Sequence, residues 1–72
     1  MFYKRLEKAL KQDFKDTESV VNWCRKECSK NYSDRKAHDF QCIAEYLIYR
    51  IENNVNVSFN EYQEIEFKRI WG

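Results

Sequence analysis

The chain has 72 residues, 13 Lys/Arg against 12 Asp/Glu, and a formal charge of +1. That length makes one domain at most, with a small core and little stability to spare. No Pro is present and the sole Gly is Gly72, so strained catalytic loops and Gly-rich phosphate cradles are excluded, and helices joined by short polar links are favoured.

Residues 2–15 place Phe2, Leu6, Ala9 and Leu10 on one helical face, with Tyr3 and Phe14 at its flank and Lys4, Lys8, Lys11 and Lys15 opposite. Asp16-Thr17-Glu18 offers a cap followed by an acid in the first turn. Val20, Val21, Cys24 and Cys28 then form the buried stripe of a second helix, with Trp23 at its edge and an end near Asn31. The two stripes stay in phase, so one helix over 2–31 competes with two. Polar Asp13 and Thr17 would sit on its apolar seam, which favours a break.

Ser33 or Asp34 caps a third helix running to about Asn53. Ala37, Phe40, Ala44, Leu47 and Ile51 recur at 3-4-3-4 spacing, and Ile43 and Ile48 widen that face. The reverse side carries His38, Cys42, Tyr46 and Tyr49, which gives the helix two apolar or half-apolar sides. An extended link over 53–57 leads to Ser58-Phe59-Asn60-Glu61, a capping box with Val57 and Tyr62 at the staple positions. A fourth helix to about Trp71 follows, with Phe59, Tyr62, Ile65, Phe67 and Ile70 apolar and Glu64 spaced to pair with Lys68. Alternation in Val55-Val57-Phe59 and Ile65-Phe67 makes a strand pair the competitor, without turn residues between the runs. The fold class expected is all-α: a small domain of three or four helices over residues 1–72, with a long central third helix, compatible with a homodimer.

Three constellations carry functional expectations. Five Phe, five Tyr and two Trp supply more ring surface than one small core needs, and Tyr and Trp are enriched at protein interfaces. His38, Cys42, Tyr46 and Tyr49, with Trp71, therefore form the expected partner-binding set; the competing reading packs these rings against a neighbouring helix of the same chain. The second constellation is basic. Residues 1–36 carry ten Lys/Arg against six Asp/Glu, and Lys30, Tyr32, Arg35 and Lys36 gather at the turn near residue 33, a patch for nucleic acid or an acidic partner. Interspersed Glu7, Glu18, Glu27 and Asp34 weaken that field, and a solvated helix face accounts for the same residues. The third pairs Cys24-x3-Cys28 with His38-x3-Cys42, symmetric about residue 33 and of the type and number for a zinc staple. The two pairs fall on differently oriented faces, so no metal is assigned and no cofactor is expected.

One His, with no Ser or Cys beside an evident base, argues against an enzyme. The expectation is a non-catalytic regulator or inhibitor that acts stoichiometrically by occluding or recruiting a partner protein, a role that suits small proteins of phages or mobile elements. A nucleic-acid-binding protein and a zinc-stapled adaptor are the alternatives. Without an apolar run of membrane-spanning length, and with three Cys read as reduced thiols, a cytoplasmic location is expected.

Overall fold

The computed structural model describes residues 2–30 and 33–72. Four helices follow in order: α1 (Phe2–Leu10), α2 (Thr17–Cys28), α3 (Asp34–Asn53) and α4 (Phe59–Trp71), and no strand occurs among the described residues. The domain is all-α.

The N-terminal segment is two helices. α1 stops at Leu10 instead of continuing to residue 15, and Asp13 takes φ 51° in the left-handed region. Asn54 does the same (φ 51°) where α3 ends, and its amide donates to the Arg50 and Ile51 carbonyls. With no glycine before Gly72, Asp and Asn make these left-handed turns, because they tolerate that conformation better than other L-residues. Asp16 caps α2 by accepting from Ser19 N at 2.8 Å, which also holds its carboxyl below the usual range. α2 ends at Cys28, short of the expected Asn31, which lies with Tyr32 outside the described residues.

Ser33 caps α3, and its hydroxyl accepts from Lys36 N. Ser58 caps α4 by accepting from Glu61 N at 3.2 Å, so the chain enters a helix where the alternating residues had offered a strand pair. Because α4 has no fully buried residue, this cap is a large part of what starts it. Ser58→Ala should cost about 1 kcal/mol and fray α4 selectively, read as faster amide exchange at residues 59–62 while α3 stays protected.

α3 is the central rod. Leu6 and Ala9 of α1, Val20 of α2, and Ile43, Ala44, Tyr46 and Leu47 of α3 form one buried cluster. Trp23 stands edge-on to Phe40 at 5.6 Å and packs on Phe14 at 5.5 Å, which closes the α1–α2 loop over the core. Arg5 pairs with Asp39 at 2.9 Å and lies over the Phe40 ring, tying α1 to the first half of α3. On the other side, Phe59 of α4 meets both Phe2 (5.0 Å) and Tyr46 (5.3 Å).

Candidate protein-interaction surface

The rear of α3 is not the open surface expected from its sequence. Tyr46 is 2% exposed; its hydroxyl donates to Val57 O at 2.6 Å and its ring contacts Phe59 and Tyr62. Tyr49 is half-buried under Tyr62, with centroids 5.2 Å apart. The physical reason is the capped link 54–58, which turns the chain back so that the first turns of α4 lie along the second half of α3. Tyr46 therefore belongs to the intramolecular core and leaves the partner-binding set, while Tyr49 stays half-buried against Tyr62.

Cys42 and His38 lie nearer the start of α3. His38 is exposed, Cys42 is half-buried, and the Cys42 Sγ stands 3.5 Å from His38 Nδ1. Burial pushes the Cys42 thiol up, with Glu45 and Asp39 adding to the effect, so the pair does not make a ready thiolate. Cys42 and Glu45 border a groove whose other wall runs the length of α4, from Phe59 and Tyr62 to Phe67, Ile70 and Trp71.

The second half of α4 is where apolar surface is left over. Phe67 and Ile70 are each 64% exposed and Trp71 is 75% exposed, with Phe67 and Trp71 rings 6.4 Å apart. Trp71 is thus accessible as expected, and Phe67 and Ile70, read from the sequence only as apolar residues of the fourth helix, are exposed beside it. The warning was present in the spacing: at 100° per residue, Phe59, Tyr62, Ile65, Phe67, Ile70 and Trp71 spread over about two thirds of the helix circumference, more than one contact with α3 can cover. Phe59 and Tyr62 take that contact, and Phe67, Ile70 and Trp71 further along α4 are left exposed at the edge of the groove.

The four metal-ligand candidates do not converge. Cys24 and Cys28 face α3, their thiols donating to the Phe40 and Ala37 carbonyls at 3.8 Å each, with the sulfurs 4.0 Å apart. His38 and Cys42 bond to each other instead, and among the described residues no three His, Cys, Asp or Glu side chains gather as a metal site. Helix phase decides this: in a hairpin about residue 33 only one face of each helix meets the other, and His38 and Cys42 are off that face on α3.

Burial, then the neighbouring Cys28, pushes the Cys24 thiol from an ordinary value of 9.0 up to about 11. The folded chain then keeps a proton that the unfolded chain has released, so this group's contribution is whole below pH 9 and is lost as pH rises towards 11. Urea midpoints measured across that interval should fall, and Cys24→Ala should flatten the fall; an unchanged slope would assign it to other groups.

Among the described residues Arg5, Lys8 and Lys30 border one shallow depression with Trp23, Glu27 and Phe40, and Arg35 and Lys36 are not part of it. Lys30 is held by the Glu27 carboxylate at 3.3 Å, Arg35 and Lys36 are exposed on the first turn of α3, and Tyr32 lies outside the described residues. Lys4, Lys8, Lys11 and Lys15 are exposed along α1 and the loop after it. No described helix is long and apolar enough to cross a membrane.

No protein-family model matches this chain, and neither a curated protein nor a solved structure matches it.

Proposed function

We propose that this chain is a small non-catalytic regulator that acts stoichiometrically, occluding or recruiting a partner protein through the apolar second half of α4. The supporting observation is the exposure of Phe67, Ile70 and Trp71 as one contiguous group beside the α3–α4 groove. Single exposed apolar residues are ordinary, but two aromatic rings and an Ile grouped within five residues resemble the anchors that carry most of the energy in protein interfaces. The α4 set replaces the rear of α3 as the contact surface, with Cys42 at its border and His38 one turn along α3. Three thiols, none in a disulfide, suit the reducing, cytoplasm-like compartment in which such a regulator would work.

Affinity capture from the native cell, comparing the wild-type chain with a Phe67→Ser/Trp71→Ser variant, tests this reading. Each ring is expected to contribute about 2 kcal/mol to binding, so loss of both should weaken partner binding by roughly several hundred-fold while the helical circular dichroism is unchanged. Equal capture by both chains would refute the assignment to α4.

A further inference from the structure

We infer that the exposed face of α4 pairs with the same face of a second copy of this chain, antiparallel across a twofold axis beside Phe67. This rests on the reading of α4 as a binding surface and names its occupant.

Surface area provides the first argument. A compact monomer of 8.9 kDa is expected to expose about 4,800 Å², whereas this chain exposes 5739 Å². The excess, roughly 900 Å², is close to the ~800 Å² that each partner contributes to a standard interface. Within the monomer α4 buries no residue fully, so it is the helix with most still to cover.

Charge complementarity is the second argument, and it selects a second copy. Asn60, Gln63, Glu64, Phe67 and Lys68 border one shallow depression on α4. Glu64 and Lys68 are spaced i, i+4, yet they make no ion pair with each other or with any described residue, although Arg69 and Glu66 on the same helix pair at 2.6 Å. Along α4 the acids Glu61, Glu64 and Glu66 precede the bases Lys68 and Arg69, so the helix is acidic in its first half and basic in its second. Two such helices attract each other antiparallel and repel in parallel.

A twofold axis level with Glu66 sets Glu64 opposite Lys68 of the partner subunit twice, with each Phe67 ring one residue from the axis and so against its own copy. The contact is isologous and closes on itself. Rings supply most of the attraction, and the two exposed charge pairs fix direction and register more than they add affinity.

Sedimentation equilibrium on the full chain from about 10 µM to about 1 mM gives the test, since association weaker than that range lies below specific binding at cellular concentrations. The wild-type chain should move from monomer to dimer within that range. Glu64→Lys and Lys68→Glu, each alone, place like charges opposite one another twice and should weaken self-association by about tenfold or more. Mixed in equal amounts, the two variants present opposite charges at both sites again and should form a heterodimer at least as readily as the wild type forms its dimer.

A chain that stays monomeric throughout overturns the inference, as do single variants that dimerise like the wild type, or a mixture that stays monomeric. The capture experiment remains separate. Loss of a different partner by the Phe67→Ser/Trp71→Ser variant of a monomeric chain keeps the α4 surface and removes only the second copy as its occupant.

Discussion

Tyr46→Ala is expected to remove most of the domain's stability at 25 °C. The substitution removes a ring that is almost wholly buried, its contacts with Phe59 and Tyr62, the stacking of Arg50 on its face, and the hydroxyl donated to Val57 O. Aromatic-to-Ala changes in a core cost ~3–5 kcal/mol, comparable to the whole stability, about 5 kcal/mol, of a marginal small domain. Far-UV circular dichroism with a urea titration measures it. Tyr46→Phe separates the two contributions: it keeps the ring and loses only the hydrogen bonds to Val57 O and from Arg50 Nη1, so the cost should be ~1 kcal/mol and the variant should stay folded. A folded Tyr46→Ala chain with an unchanged midpoint would mean that the first turns of α4 do not lie on α3 as described.

The second large effect is expected at Ile43. This side chain is fully buried in the cluster that joins Leu6 and Ala9 of α1 to Val20 of α2. Ile43→Ala should lower stability by ~2–5 kcal/mol, with the larger value if the cavity stays open, and Ile43→Val by only ~0.5–1.5 kcal/mol. Phe67→Ala provides the contrast. A larger side chain is removed, but from an exposed position, and stability should change by no more than ~0.5 kcal/mol. If stability followed side-chain size instead of burial, Phe67→Ala would be the more damaging change, and urea midpoints for the two variants distinguish the cases directly.

These contrasts show how differently α3 and α4 could be inferred from their residues. For α3, cap, length and apolar spacing agreed: Ser33 precedes it, Asn53 ends it, and Phe40, Ala44 and Leu47 are buried as their spacing required. Ser58 likewise starts α4 through a bond to Glu61 N, a contact three residues away that needs nothing from the rest of the fold. Tyr46 was placed on the correct side of α3 but assigned the wrong neighbour. Phe67 was read only as one of an apolar series, and the arc of that series is wider than the contact available to it.

From its residues alone, this protein had an all-α domain of three or four helices, most of their caps and the accessible Trp71. All of these depend on backbone hydrogen bonds and 3.6-residue periodicity within a few turns of chain. Tertiary structure alone decided which of two apolar faces on α3 was covered by α4, and so moved the leftover surface from Tyr46 to Phe67 and Ile70. Periodicity reports that a face is apolar, but which apolar faces meet depends on the angle at which the 54–58 link returns the chain, a long-range packing outcome that no local spacing encodes.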